Sequence, residues 1–448
     1  MKHYNELKHA FDHFLDDPSQ PSPHASDVAH LLKKVRKKDK EEFHAYLTRI
    51  PNDILGDILL ELPEKIKDEA IAFLPSEELA DAVDNLDSDD AADLINDIDD
   101  VDEDKSEAVF AQLDEENQED IDKLRGYSED QAGAWMQTEL FEATLDETIQ
   151  HSIDRLKELK RQDELTNIHQ VFIVNEHQRL IATVSLEDLI LYDFTQTYRN
   201  VVTNKEFRYV EATDNIEDVA SIFEQYDLSV LPVLDYQGRL VGRITSDDIY
   251  DVIEERATDQ IYNLAGVNDD VEQEEDFFGV FKNRAIWLSI NLATAILASI
   301  VIGMFDATLA AFVPLAILMP IVASMGGNAG TQTLTVMVRQ MALGDIDLEH
   351  SKEVLKKEVL IALLNGLLFA VIMGIIAYLW FDISKLGIVI ALAMIINLFI
   401  AGFFGAAIPL VLKRLNIDPA IGSTVILTTA TDVFGFLSFL GLASMILM

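Results

Sequence analysis

The sequence predicts a multidomain membrane protein in which an all-α repeat domain and a duplicated α/β module precede five membrane helices. Three observations carry this: an acidic excess confined to the first part of the chain, two internal repeats of different period, and five long apolar runs at the end. Of the 448 residues, 1–280 contain 69 acidic and 25 basic residues and 281–448 contain 9 of each, so the whole net charge of -44 lies in the first part. Two different solvents are implied. A polyanion of this kind repels nucleic acid and anionic lipid and attracts divalent cations most strongly. There is no cysteine, which removes disulfides, thiolate metal sites and a cysteine nucleophile.

Residues 1 to about 50 read as helical, with a basic run LLKKVRKKDK at 31–40 against acidic surroundings. The start, MKHYNELKHAFDHFL, is amphipathic and lacks the apolar core of a signal peptide, so membrane insertion is expected from later segments. From 51 onward, Leu62-Pro63, Leu74-Pro75, Leu86-Asp87 and Ile98-Asp99 recur every 12 residues, and Leu113-Asp114 follows after a three-residue slip. Each unit reads as a turn, an acidic first turn and a short apolar helix. Acids in a first turn complement the helix dipole, and stacked short helices build a superhelical domain over 1–127 that presents rows of carboxylates.

A second duplication covers 128–200 and 201–262. VFIVNEHQRLIATVSLEDLI, from Val171, aligns at a constant offset of 60 with LPVLDYQGRLVGRITSDDIY, from Leu231. Each copy reads strand, turn, strand, helix, and LDETIQHSIDRL or TDNIEDVASIF supplies the helix before it. The pattern resembles a tandem pair of cystathionine-β-synthase (CBS) domains. Gly242, Thr245 and Asp248 match its closing glycine, threonine and aspartate, and Ser185 and Asp188 match in the first copy. That copy has Ala182 in place of the glycine and a longer charged insert, KELKRQDELTNIHQ. Nucleotide binding is common in such domains, and Asp188 and Asp248 would then hold a ribose. A connecting helix is expected over 248–280, overlapping the second copy, with Asp248, Asp251, Glu255 and Asp259 on one face and Ile249, Ile253, Ala257, Ile261 and Leu264 on another. Stacked carboxylates repel one another and call for a compensating partner or full solvation.

Five segments near 285–305, 310–340, 358–381, 386–412 and 419–447 each meet the length of about 20 residues that a bilayer demands, giving a membrane domain over 281–448. Lys282, Arg284, Arg339, Lys352, Lys356, Lys357, Lys413 and Arg414 flank one side and Lys385 the other. By the positive-inside bias the N-terminal domains are cytoplasmic and the C-terminus is outside.

Two intramembrane features need a reason. The stretch Pro320 to Gln332, PIVASMGGNAGTQ, predicts a helix that opens its backbone toward a water-filled path, because irregular backbone at membrane depth survives only where it is buried or lines a cavity. Asp432, in STVILTTATDVFGFL, is the acidic residue deep in the last segment, and an aspartate at a helix centre costs about 2.5–3.5 kcal/mol to insert. Thr428, Thr429, Thr431 and Gly435 around it make a small, hydroxylated face. Soft metals prefer sulfur or imidazole, and neither is near this path. Magnesium prefers oxygen and holds its waters, so carbonyls, amide oxygens and a pair of carboxylates suit it; calcium and manganese share the donor chemistry.

GGNAGTQ in the second membrane segment, the aspartate in a Thr-rich fifth segment, the CBS pair and the acidic repeat domain together resemble the MgtE family of magnesium channels and transporters. The resemblance implies a plasma-membrane homodimer that takes up Mg2+ and is closed when Mg2+ bridges its acidic cytosolic surfaces and moves the connecting, or plug, helix. Carried over by matching position, Asp432, Gly327 and Asn328 would hold pore ions. Asp89, Asp93, Asp214, Asp227, Asp248, Asp251, Glu255 and Asp259 would hold regulatory Mg2+, and ATP is a candidate regulatory ligand of the CBS pair. The alternative is a CBS-regulated transporter of another divalent cation or solute with adenine nucleotide as effector. The membrane part shows no internal repeat of the kind alternating-access carriers use. No nucleophile, base and phosphate-loop arrangement is present, so an enzyme is not expected.

Overall fold

The structure is a computed structural model, described here for residues 2–17, 19–161, 168–202, 207–267, 277–344, 346, 351–415 and 417–448. It divides into two compact units, Met1–Glu254 and Glu255–Met448.

The first unit begins with nine helices, from Lys2–Asp16 to Glu115–Leu124. The 12-residue repeat appears as helices Asn52–Leu60, Glu64–Phe73 and Ser76–Val83, each entered through a proline, Pro51, Pro63 or Pro75, in extended conformation. Proline suits this N-cap position because its fixed φ is compatible with the extended backbone there and it brings no N–H to be satisfied. One turn expected from the repeat does not form. At Ile98-Asp99 the helix Ser88–Val101 continues, and the chain breaks after Val101, where the Asp102 carboxylate accepts from Lys105 N–H at 3.1 Å and caps the next helix. The local capping group there outweighs the repeat period.

The two CBS copies each form a three-stranded sheet. In the first, β1 (Glu142–Thr144) pairs parallel with β2 (Gln170–Val174), which pairs antiparallel with β3 (Leu180–Ser185); in the second, β4 (Val210–Glu211), β5 (Val230–Leu234) and β6 (Leu240–Thr245) repeat the order. The hairpin registers superpose at the offset of 60 read from sequence: Val171↔Val184 becomes Leu231↔Ile244, and Ile173↔Ala182 becomes Val233↔Gly242. Even the irregularity between Ile173 and Val174 recurs between Val233 and Leu234. The copies differ in what they pack against. The first has its own core around Phe141, Ile149 and Tyr198, whereas Val219, Phe223 and Ile244 of the second join one continuous core with Leu94, Ile121 and Leu124 of the helical domain. Phe172, Val174, Val230 and Leu240 seal the copies to each other.

Among its described residues the second unit holds five helices long and apolar enough to cross a membrane, Phe277–Gly303, Val313–Ala342, Ser351–Phe381, Ser384–Arg414 and Ser423–Leu447. The fourth packs against the second, third and fifth, and the first against the fifth. The third and fourth approach through small residues: a Cβ on Gly387 would stand 2.7 Å from the Gly374 carbonyl, and one on Gly402 would strike the Ala362 methyl. Close backbone approach of this kind drives association where water exclusion cannot. The connecting helix runs Ser246–Ala265, so it starts in the first unit and ends in the second; the remainder of its expected span, through 268–276, lies outside the described residues.

Candidate functional site

The first candidate site is an acidic seam where the helical domain meets the second CBS copy. Helix Ser88–Val101 starts with Ser88, Asp89 and Asp90, and its N-terminus is held by Glu139, whose carboxylate accepts from Ser88 N–H at 3.1 Å and from Ser88 Oγ at 3.0 Å. The connecting helix starts at the same seam. Asp248 accepts from Thr245 Oγ1 at 2.7 Å and from Thr245 N–H at 3.3 Å, one half of a capping box; in the first copy Ser185 Oγ accepts from Asp188 N–H at 3.2 Å, the other half.

These groups press on one another. Asp89 is 6% exposed, and burial followed by Asp248 and Asp90 holds its carboxyl well above the ordinary range. Burial, Asp248 and Asp93 push Asp90 up to about 7. Asp248 is raised to about 6 by burial, with Asp247 and Asp251 adding to it against the Thr245 bonds. Asp93 is surface-accessible, yet protein surrounds it on enough sides that lost hydration, then Asp97 and Asp248, raise it to about 6. Asp251 is raised by lost hydration and then by Glu61 and Glu254. No Lys or Arg forms an ion pair with Asp89, Asp90 or Asp248 among the described residues.

A divalent cation fits this donor set, since it would supply the missing countercharge. The fit is to a hydrated ion: among the described residues no three acidic or histidine side chains converge into a ready metal cage. A cation that keeps most of its waters and touches one or two carboxylates is how magnesium is commonly held.

Other residues expected for regulation lie elsewhere. Asp214 is exposed and accepts from Glu211 N–H at 2.8 Å in a turn, and Asp227 is the exposed, left-handed C-cap of helix Ile216–Tyr226. Glu255 and Asp259 continue the stripe along the connecting helix into the second unit. Asp90 and Glu139 join the seam although sequence reasoning did not select them; Asp90 was readable as the second first-turn acid of the SDDAADL repeat.

The second candidate site is in the membrane helices. The expected opening of the second helix does not occur: Val313–Ala342 is one continuous helix through GGNAGTQ, so the carbonyls around Asn328 stay within its hydrogen-bond ladder. The glycines serve approach instead. A Cβ on Gly326 would strike Asn397, and one on Gly330 would stand 2.9 Å from Leu427, while Gly327 faces open space. Asn328 is exposed, its Nδ2 donating to Ser324 Oγ at 3.3 Å, and Asp432 is partly exposed. The threonine hydroxyls are engaged by their own helix. Thr428 and Thr429 hydroxyls donate at 2.7 Å to carbonyls one turn back, and Thr431, fully buried, donates to Thr428 O at 3.1 Å.

The end of the connecting helix docks on these membrane helices. Thr424 Oγ1 donates to the Leu264 carbonyl at 2.7 Å, Asn263 Nδ2 to Asp418 Oδ2 at 3.3 Å, and Arg256 to the Ala342 carbonyl at 3.2 Å. Trp287 lies where side chains on Gly266 and Gly422, both at positive φ, would meet it at 3.5 Å.

Comparison with known proteins gives this layout a name. Family models match at 319–442 (divalent cation transporter), 23–130 (MgtE intracellular N domain) and 132–194 with 199–255 (CBS domain). The magnesium transporter MgtE of Thermus thermophilus is 33% identical over 75% of this chain and 74% of its own length. The chain belongs to the MgtE family of magnesium transporters. The MgtE of Enterococcus faecalis is 31% identical over 73% of this chain and 71% of its own. Among solved structures, the soluble part of a magnesium transporter is 24% identical over 57% of this chain and 99% of that one, with a TM-score of 0.50. The cytosolic domain of the Mg2+ channel MgtE in complex with ATP is 28% identical over 54% of this chain and 92% of that one, with a TM-score of 0.48. As a member of this family the chain is a membrane transporter and not an enzyme, with intracellular N-terminal domains and Mg2+ as substrate.

Proposed function

We propose that this chain forms a homodimeric Mg2+ channel of the plasma membrane that mediates uptake and is shut from the cytosol by the ion it carries. One observation supports this reading above the rest. The helix Ser246–Ala265 has Asp248 in the acidic seam at one end and Leu264 bonded to Thr424 of the fifth membrane helix at the other. A charge change at the seam therefore acts on an element fastened to the membrane helices.

At low Mg2+ the unpaired carboxylates of the seam repel. At millimolar Mg2+, hydrated ions neutralise them, and several weakly bound ions shift a two-state equilibrium as far as they favour one state over the other. The proposed pore ligands are Asp432, Asn328 and Gly327. Exposed Asn328 and partly exposed Asp432 would face lipid in a single chain, a costly arrangement that a second copy relieves while bringing a second carboxylate to the path. The lysine and arginine flanks support a C-terminus on the outer side. Adenine nucleotide is a second proposed effector at the CBS pair. For a ribose, the proposed ligands are Asp188 and Asp248, the matching aspartates of the two copies.

Single-channel recording of the reconstituted full chain, with Mg2+ varied on the cytosolic side, tests the reading. Wild type should conduct Mg2+ and close at millimolar Mg2+, Asp432→Ala should not conduct, and joint neutralisation of Asp248, Asp251, Glu255 and Asp259 should stay open. Wild-type currents in Asp432→Ala would overturn the pore assignment. Closure of the neutralised variant at the wild-type Mg2+ concentration would return the stripe to a solvated face.

A further inference from the structure

A polar side chain outside every residue assigned above lies at the junction of the three central membrane helices. Asn397, in the fourth helix, is fully buried, and its Nδ2 donates to the Val322 carbonyl of the second helix at 2.6 Å. Its Oδ1 is buried with no hydrogen-bond partner. Two glycines make room for it: an added Cβ on Gly326 would stand 2.5 Å from Nδ2, and one on Gly435 of the fifth helix would stand 2.7 Å from Oδ1.

The neighbours are informative. Gly326 is two residues before Asn328, and Gly435 is one turn after Asp432 on an adjoining strip of its helix. A buried amide in an apolar helix is costly unless it does something, and intramembrane polar groups mark ion paths by default. Packing alone would be met here by an apolar side chain branched at Cγ, with no polar atoms to satisfy.

We propose that Asn397 is a positioning residue of the ion path, an inference that rests on the assignment of Asn328 and Asp432 to that path. Its amide ties the second helix through Val322, and its body spaces that helix from the fifth at Gly326 and Gly435. It thereby sets the separation between the Asn328 and Asp432 oxygens. Magnesium holds a tight, nearly octahedral shell and calcium a looser one, so a change in that separation alters which ion is preferred as well as how fast it passes.

The test uses the full chain in proteoliposomes, with Mg2+ and Ca2+ influx read separately. Asn397→Leu keeps the branching at Cγ, adds some volume and removes the amide; Asn397→Ala removes both branch and amide and relieves every contact. Each variant is checked for elution volume and melting temperature. Displaced ligand geometry costs about tenfold or more in rate, so both variants should carry at least about tenfold less Mg2+ and show an altered Mg2+ to Ca2+ ratio. A structural defect alone would lower both ions in proportion. Wild-type rate and ratio in either variant, or proportional loss of both ions, overturns the proposal. Asp432→Ala in the same assay separates the two levels: if it conducts normally, the path itself is misassigned and the inference falls with it. If it is silent while Asn397→Leu behaves as wild type, only the role of Asn397 falls.

Discussion

The Thr424 hydroxyl donates to the Leu264 carbonyl at 2.7 Å, closing one of the last backbone acceptors of the connecting helix with a side chain from the start of the fifth membrane helix. Terminal carbonyls of a helix have no partner within it, so this bond supplies a fixed docking point. Ala342, at the end of the second membrane helix, is treated the same way by Arg256. Thr424→Val preserves shape and removes the donor. Losing such a bond costs about 1 kcal/mol, enough to move a docked–undocked equilibrium about fivefold. Open probability at a fixed submaximal cytosolic Mg2+ should rise accordingly; an unchanged open probability would show that docking at Leu264 takes no part in gating.

Magnesium binding at the seam should release protons. Asp90 is raised to about 7, and Asp93 and Asp248 to about 6, so near pH 6.5 a share of these carboxyls is protonated before the ion arrives. Apparent Mg2+ affinity should fall as pH drops from 8 through about 6. Calorimetry at pH 6.5 in two buffers of different ionisation enthalpy measures the release directly, and identical heats in both would contradict it. Without Mg2+ the folded unit holds more protons than the unfolded chain between about pH 4 and 7, so these groups' contribution to stability declines as pH rises through that window.

Much of this was legible in the sequence because it is written in periods. The offset of 60 between the CBS copies fixed their hairpin registers residue by residue, and the five apolar runs matched the five helices to within several residues at their ends. What the sequence could not convey was which faces meet. Asp89 and Asp248 are far apart in the chain, and only the core shared between the helical domain and the second CBS copy brings them together. Asp214 and Asp227 look equally acidic in sequence, yet they sit in a turn and at a helix C-cap rather than among the seam's carboxylates. GGNAGTQ has the composition of a broken helix, but glycine also permits close helix packing, and periodicity does not distinguish the two. Asn397 had a visible signal, a lone amide within IINLFIAG, whose meaning depended on two glycines in other helices.

Removing one charge from the seam should stabilise it. Asp90 is raised by burial and by Asp248 and Asp93, so at pH 7.5 without Mg2+ its ionised form works against folding. Asp90→Asn keeps the shape and removes the repulsion. For a unit of this size, about 1 kcal/mol corresponds to roughly 2–4 °C, and the melting temperature of residues 1–265 should rise by at least that amount in chelator. The further increase on adding Mg2+ should be smaller than in wild type, because one ligand and one repulsion are gone together. A lower melting temperature in chelator would mean that Asp90 is already stabilised by a partner.

Two glycines of the membrane helices, Gly405 in the fourth and Gly327 in the second, should respond differently to the same substitution. A Cβ on Gly330 would stand 2.9 Å from a Leu427 methyl and 3.2 Å from its Cγ, and a Cβ on the facing Gly405 would stand 2.8 Å from the Gly330 carbonyl. These helices are already in contact along their backbones, so Gly405→Ala must push them apart, at a cost of about 1–3 kcal/mol. Gly327 has nothing within 4 Å of the same added atom. Gly327→Ala should therefore fold as well as wild type or better, since alanine favours a helix over glycine by about 1 kcal/mol. A drop in Mg2+ flux in Gly327→Ala, with melting temperature and elution volume unchanged, would place the ion path at Gly327; normal flux would confine that path to Asn328 and Asp432.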